Sequence, residues 1–322
     1  MMMNTPLKRE LGLGSAVMLG LGSMVGAGVF VSLGLGAGLV GPAVIGAIVL
    51  AGLLAMCNGM SSAQLAAEHP VAGGTYEYGH RVGWPALGTV AGFMFLVAKS
   101  ASCATAALGL AGYVLPRFGV ETAGTLQIAG ALAGIMMVTV MVLEGIRRTN
   151  RVNTAVVTIT LMGVAVFVFV GITRIELGNF SPWMMSQEGG IRAVPATWSD
   201  LARAVALMFV AYTGYGRIAT LGEEVKEPRK TIPKAIVATV IVCVVAYAAV
   251  AAVAIGLVGA DGFDAFTMVG APLEAISAAA GLPAWVGWAV TIAAVTAMLG
   301  VILNLILGLS RVALAMDEVE DH

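Results

Sequence analysis

The chain has 322 residues, of which 59% are hydrophobic and 11% are charged, and its mean hydropathy is +0.95. Soluble domains carry about 25% charged residues, so this composition excludes an ordinary soluble protein and indicates an integral membrane protein. The formal net charge of −1 argues against a nucleic acid partner, and the few, scattered cysteines and histidines predict neither a disulfide framework nor a metal or cofactor site.

The first apolar segment is unusually rich in glycine for a membrane helix. Residues 11–40 contain no charge and are long enough to cross a bilayer, yet Gly20, Gly22, Gly26 and Gly28 fall within nine positions. Each glycine costs a helix roughly 1 kcal/mol relative to alanine, and a broken membrane helix is tolerated where its freed backbone groups line a buried cavity. We therefore predict a discontinuous helix whose gap forms half of a substrate site. Close helix packing is the alternative, because Gly22 and Gly26 fit a small-xxx-small pattern.

The rest of the chain consists of apolar segments separated by polar loops. Most lysines and arginines outside these segments fall on the same side as the N-terminus, so the positive-inside rule predicts a multi-pass protein of the cytoplasmic membrane with both termini in the cytoplasm. The loop at 174–197 is then external, and Trp183 and Trp198 are expected to anchor it at the interface. The predicted spans are residues 15–38, 42–67, 84–115, 122–143, 153–173, 199–221, 233–258 and 282–316.

A second interruption is predicted in the sixth span, where Gly214 and Gly216 follow the apolar residues 204–211. A densely charged loop with two prolines comes next, at residues 222–233. Interrupted first and sixth spans are what an inverted five-helix repeat predicts. We expect one transmembrane domain over residues 1–322, with repeat one at about 11–173 and a partial repeat two at about 199–316.

At these interruptions the sequence resembles the amino acid–polyamine–organocation (APC) superfamily of secondary transporters. The motifs that carry the resemblance occur in the expected order along the chain: residues 22–30 (GSMVGAGVF), 70–76 (PVAGGTY), 211–215 (AYTGY), 223–233 (EEVKEPRKTIP) and 310–316 (SRVALAM). The resemblance implies an all-α integral membrane protein of the LeuT-type inverted-repeat fold, with about eight transmembrane helices present and helices 1 and 6 discontinuous. It also implies a secondary active transporter that moves amino acids or polyamines by alternating access, coupled to protons or working by exchange.

The same resemblance places a small-molecule substrate between the two interruptions. The substrate carboxylate would bind backbone N–H groups of residues 26–28, at the N-terminus of a half-helix. The substrate ammonium would bind the carbonyl groups of Met24, Val210 and Thr213. The full implied set is Ser23, Met24, Val25, Gly26, Ala27, Gly28, Phe209, Val210, Ala211, Tyr212, Thr213 and Gly214.

The sequence departs from the family pattern in two respects. Val210 stands where many relatives have a gating aromatic residue, so Phe209 or Tyr212 is expected to gate the site instead. Relatives usually have more than eight spans, so we expect this chain to be a fragment, a truncated gene product or half of a split transporter. Its expected partners are complementing C-terminal helices or, in a homo-oligomer, further copies of the chain. A non-transporting amino-acid-binding sensor or subunit is therefore the alternative function. An embedded enzyme is disfavoured, because the spans offer neither paired carboxylates nor a nucleophile–base pair.

Four further charged positions, Lys99, Arg217, Glu223 and Glu224, point to function. Lys99 lies near the middle of the third span with no Asp or Glu deep in any span, and ionisable residues inside a membrane are functional by default. We predict that Lys99 couples proton movement to transport; a structural bond to carbonyl groups of a broken helix is the alternative. Arg217 is predicted either to snorkel to the interface or to pair with Glu223 or Glu224 as an inner gate.

Overall fold

The structure is a computed structural model that describes residues 11–68, 74–81, 84–120, 124–143, 149–188, 192–222, 224–267 and 270–320. The regular elements within these residues are helices and one short two-stranded ribbon. The α-helices are α1 (Leu13–Met24), α2 (Leu33–Val40), α3 (Val44–Glu68), α4 (Thr75–Arg81), α5 (Pro85–Val114), α6 (Thr125–Leu143), α7 (Thr149–Gly171), α8 (Trp198–Tyr212), α9 (Gly216–Ala219), α10 (Pro228–Thr267), α11 (Pro272–Ala279) and α12 (Ala284–Glu320).

Six helical segments of the described chain are long and apolar enough to cross a membrane. They are Gly28–Glu68, Pro85–Phe118, Thr125–Leu143, Arg151–Arg174, Pro228–Thr267 and Ala284–Leu314. These segments support the predicted multi-pass membrane protein. The number of eight spans stays a prediction, because part of the first predicted span runs on into the second as one helical segment and α8 has only 15 residues.

The first span is interrupted at Val25–Ala27. Helix α1 ends at Met24, and Val25 adopts an extended conformation with φ −77° and ψ 100°. The chain resumes as a wide helical turn at Gly28–Ser32, which leads directly into α2. The N–H groups of Val29 and Phe30 both donate to the Gly26 carbonyl, at 3.1 and 3.3 Å. The glycine-rich stretch therefore lies where one half-helix ends and the next begins.

The sixth span changes its helical geometry at Thr213–Tyr215. Helix α8 begins with a capping box, in which the Thr197 hydroxyl accepts from the Asp200 N–H and the Asp200 carboxylate accepts from the Thr197 N–H. After Tyr212 the chain forms a 3₁₀ turn and then the short α9. A Cβ atom at Gly214 would collide with the Ser23 carbonyl, so the two interruptions touch at a point where only glycine fits.

The remaining helices hold the two interrupted spans from both sides. Helix α10 packs along α3, α2 and α1, while α12 packs against α5 and α7 and also touches α1. Helix α4 packs on α5, and Tyr76 forms a small buried cluster with Val312 near the end of α12. Apolar side chains such as Phe93 and Met136 are about two-thirds exposed on the outer faces, as expected for surfaces in contact with lipid tails.

The loop predicted at 174–197 contains the two-stranded ribbon, which sequence analysis did not predict. Strand β1 (Met185–Glu188) pairs antiparallel with β2 (Arg192–Pro195). The Ala43 N–H donates to the Trp183 carbonyl at 2.9 Å, so this loop covers the turn between α2 and α3.

Gly41 makes that turn with φ 65° and ψ −145°, a conformation nearly restricted to glycine. We expect Gly41→Ala to lower the free energy of unfolding by about 1–3 kcal/mol, measured by thermal or denaturant unfolding in detergent. Gly46→Ala is the matched control, because Gly46 lies within α3 and a Cβ there meets nothing within 4 Å. That variant should be neutral or slightly stabilising. Equal destabilisation of both variants would contradict the assignment of strain to Gly41.

Candidate functional site

A cavity of about 230 Å³ lies between the two interruptions. It is walled by the interrupted spans, by α5 and by α12. Ten of the site residues predicted from the sequence line this cavity: Ser23, Met24, Gly26, Ala27, Gly28, Val210, Ala211, Thr213, Gly214 and Lys99. Two residues distant in sequence, Val301 and Leu305 of α12, complete the apolar part of the wall.

A second, much smaller cavity of about 20 Å³ adjoins the first. Both are lined by Ser23, Lys99, Gly214 and Leu305, so they meet at these residues. The smaller cavity continues past the second interruption and is also lined by Arg217, Thr220 and Asn304, among others. The two cavities together extend from the first half-helix toward the end of the sixth span.

The cavity wall presents backbone donors at the start of the second half of span one. The first N–H groups of a helix have no partner within that helix, and Gly26, Ala27 and Gly28, which begin this half, all line the cavity. The thirteen residues from Gly28 to Val40 form the half-helix behind them. Its dipole places partial positive charge at this end. The arrangement suits a carboxylate or another small anion.

The carbonyl groups expected to bind a substrate ammonium already accept hydrogen bonds within the protein. Met24 O accepts from the Tyr247 hydroxyl at 2.8 Å. Val210 O accepts from the N–H and the hydroxyl of Thr213. Thr213 O accepts from Lys99 Nζ at 2.9 Å. Each carbonyl oxygen has two lone pairs, so Met24 O retains the capacity for one further bond. Val210 O accepts two bonds, and Thr213 O also accepts from the Gly216 N–H, so both lone pairs of these two oxygens are engaged.

Lys99 binds directly to the second interruption. Its Nζ donates to the carbonyl of Thr213 at 2.9 Å and to the hydroxyl of the same residue at 3.3 Å. The Phe95 ring centroid lies 5.8 Å from Nζ, at the limit of a cation–π contact. The bond from Lys99 to a carbonyl group of a broken helix, the alternative to a coupling role, is therefore present. Lys99 also lines both cavities.

The two aromatic residues expected to gate the site do not line either cavity. Tyr212 is fully buried, donates its hydroxyl to Ile48 O at 3.2 Å and packs against Tyr247, with ring centroids 5.3 Å apart. Phe209 packs at the edge of the hydrophobic core, and Val25 is buried. Val210 instead lines the cavity and is 57% exposed. Tyr212 therefore has a packing role, because its side chain is turned toward α3 and α10.

The charged cluster past the second interruption differs from the predicted one. Glu224 forms an ion pair with Arg311 of α12, whereas Arg217 donates to the Thr220 hydroxyl at 3.0 Å. Within the described residues the Arg217 Nε is buried without a hydrogen-bond partner. Glu223 lies outside the described residues. Arg311 belongs to the motif at residues 310–316, but nothing in the local sequence indicates its partner Glu224, which lies 87 positions earlier in the chain.

Sequence analysis missed Tyr247, which joins both interruptions. Its hydroxyl donates to Met24 O and lies 3.4 Å from Ala211 O.

Sequence analysis also missed a buried pair of asparagine side chains next to the first half-helix. Asn153 Nδ2 donates to Met18 O, and Asn304 Nδ2 donates to Asn153 Oδ1, both at 2.8 Å. Polar residues bordering or inside long apolar segments were the signal that could have identified these positions.

Comparison with known proteins identifies the family. The family described as amino acid permease matches residues 15–319. An uncharacterized transporter of Mycobacterium tuberculosis (strain ATCC 25618 / H37Rv) is 37% identical over 313 residues, which cover 96% of this chain and 66% of the relative. The branched-chain amino acid permease BcaP of Bacillus subtilis (strain 168) is 29% identical over 327 residues, covering 97% and 67%. A methylthioribose transporter of the same organism is 27% identical over 252 residues, covering 74% and 52%.

The fold is that of a multi-pass membrane protein with a cavity between two interrupted helices. The chain belongs to the amino acid permease family of the APC superfamily. It spans about two thirds of the length of the mycobacterial relative.

Tyr247→Phe tests whether one hydroxyl holds the two interruptions together. The change leaves the buried Met24 carbonyl without its donor, so we expect the free energy of unfolding to fall by about 1–3 kcal/mol. We also expect faster amide hydrogen exchange in residues 24–28 and 211–214, measured by mass spectrometry. Tyr113→Phe is the control, because it removes a similar bond to Phe30 O at 3.2 Å without touching the interruptions. Faster exchange at both interruptions in the control as well would overturn the assignment.

Proposed function

We propose that this protein is a secondary active transporter that moves amino acids across the cytoplasmic membrane by alternating access. The observation that carries the proposal is the cavity between the two interruptions, which combines the backbone N–H groups of residues 26–28 with the carbonyl of Met24, an acceptor with one lone pair left. An amino acid needs one donor cluster for its carboxylate and one acceptor cluster for its ammonium. Backbone groups at interrupted helices supply both without charged side chains.

The proposed binding mode uses the residues that line the cavity. The carboxylate binds N–H groups of Gly26, Ala27 and Gly28, and the ammonium binds the free lone pair of Met24 O. The small and apolar residues of α5 and α12 receive the substrate side chain. The name of the Bacillus subtilis branched-chain permease supports an amino acid as the substrate class.

The conformational cycle rests on the LeuT-type arrangement, which we propose on the basis of the two interruptions and the family. In this arrangement one bundle rocks against the other around a fixed site, with both chain termini in the cytoplasm and further helices or further copies of the chain as partners. Arg217, Glu224 and Arg311 form the inner gate. The Glu224–Arg311 ion pair joins the loop after the sixth span to α12, so opening on that side requires it to separate.

Flux through sealed proteoliposomes distinguishes a transporter from a sensor that only binds its ligand. We expect this chain to exchange internal unlabelled leucine for external radiolabelled leucine, whereas a sensor would not equilibrate the label. Ala101→Phe should reduce this flux at least tenfold, because Ala101 lines the cavity and phenylalanine fills it.

Ala104→Phe is the matched control, because Ala104 is exposed on the same helix and does not line either cavity. It should retain most of the flux. Binding of leucine without any exchange would contradict transport, and equal losses in both variants would show that the cavity is not the route.

Proton coupling through Lys99 is proposed because its ammonium joins the second interruption to the substrate cavity. We expect an inward proton gradient to drive leucine accumulation in proteoliposomes, and Lys99→Met to abolish accumulation while exchange persists. Lys99→Arg, which keeps a cation but holds its proton at all accessible pH values, should also lose gradient-driven accumulation. Undiminished accumulation by Lys99→Met would assign coupling elsewhere.

A further inference from the structure

The charged side chains that line the two cavities have the same sign. Of the described residues that line them, the charged ones are Lys99 and Arg217, and no carboxylate is present among these residues. Glu224, which follows the second interruption, forms an ion pair with Arg311. A positively charged solute group inside the cavities therefore finds cations but no acidic partner among the described lining residues.

Lys99 also occupies acceptors that a second cation would need. Two of its three N–H donors are directed at Thr213, one at the carbonyl and one at the hydroxyl. The Thr213 hydroxyl donates its own proton to Val210 O, so its oxygen serves Lys99 as an acceptor. The protein itself thus places one ammonium at the C-terminal end of α8, where the helix dipole favours a positive charge.

The rest of the cavity wall has few groups that could stabilise a charged side chain of a substrate. Around Lys99 the cavity is lined by Ala98, Ala101, Ala106 and Val301, together with the hydroxyl-bearing Ser102 and Thr105. Alanine and valine cannot compensate a desolvated charge, and hydroxyl groups compensate it only in part. At a separation of about 6 Å and an effective dielectric near 20, repulsion between two unit charges weakens binding roughly a hundredfold.

We infer that Lys99 is a specificity-determining residue that restricts the site to amino acids with uncharged side chains and excludes cationic amino acids and polyamines. The inference rests on the proposed amino acid site and narrows its substrate class. A zwitterion brings one ammonium, which the acceptors at the first interruption receive, and one carboxylate, which the free N–H groups of residues 26–28 receive. Lysine, arginine or putrescine brings a further cation, which faces Lys99 and then Arg217 along the path.

Competition binding at one fixed pH tests this inference on the full chain in lipid nanodiscs. Radiolabelled leucine is displaced by unlabelled leucine, arginine or putrescine, and the ratio of the arginine to the leucine inhibition constant is compared between variants. The ratio is internal to each variant, so partial loss of folded protein does not affect it. Lys99→Met and Lys99→Gln remove the charge, and Lys99→Arg is the matched control that keeps it.

We expect the wild-type chain to bind leucine at least tenfold more tightly than arginine or putrescine. Both neutral variants should lower this ratio at least tenfold, while Lys99→Arg keeps it within threefold of the wild-type value. A wild-type chain that binds arginine as tightly as leucine would overturn charge selection and leave the amino acid site intact. An unchanged ratio in both neutral variants would remove Lys99 from that role. Absence of leucine, arginine and putrescine binding in the wild-type chain would overturn the proposed function itself, and with it this inference.

Discussion

The constraint on which this structure depends is that backbone N–H and C=O groups inside hydrocarbon need partners within the protein. Interrupting the first and sixth spans frees such groups in the middle of the molecule. The structure meets the need with side chains from other helices, chiefly the hydroxyl of Tyr247 on Met24 O and the ammonium of Lys99 on Thr213 O. The two interruptions are thus stabilised by α10 and α5, and their geometry depends on how those helices pack.

The hydrogen-bond partners of these backbone groups explain which substrate groups the cavity favours. The carbonyl ends of the half-helices are largely engaged by the protein, while the N–H groups at residues 26–28 begin a half-helix and have no partner within it. The chamber therefore favours a carboxylate, and the charge of Lys99 adds to that preference. The structural and functional interpretations of Lys99 do not compete, because the ammonium that binds Thr213 also borders the space available to a substrate.

The sequence predicted the location of the site better than the roles of individual side chains. Clustered glycines at 20–28 and the Gly214–Gly216 pair indicated where helices cannot continue, since glycine disfavours a helix and permits close approach. Tyr212 was expected in the site, yet its hydroxyl binds Ile48 O in α3. The direction of a side chain depends on which helix packs beside it, and apolar segments with helices on several sides carry weak facial patterns.

The amino-acid sequence by itself determined the membrane class, the family and the places at which the first and sixth spans are interrupted, because hydropathy and glycine content act within a few neighbouring residues. Only the tertiary structure decided which groups satisfy the interruptions. Lys99 and Thr213 are 114 positions apart, and Tyr247 and Met24 are 223 positions apart. Contacts over such separations depend on the packing of whole helices, and no local preference of the chain encodes them.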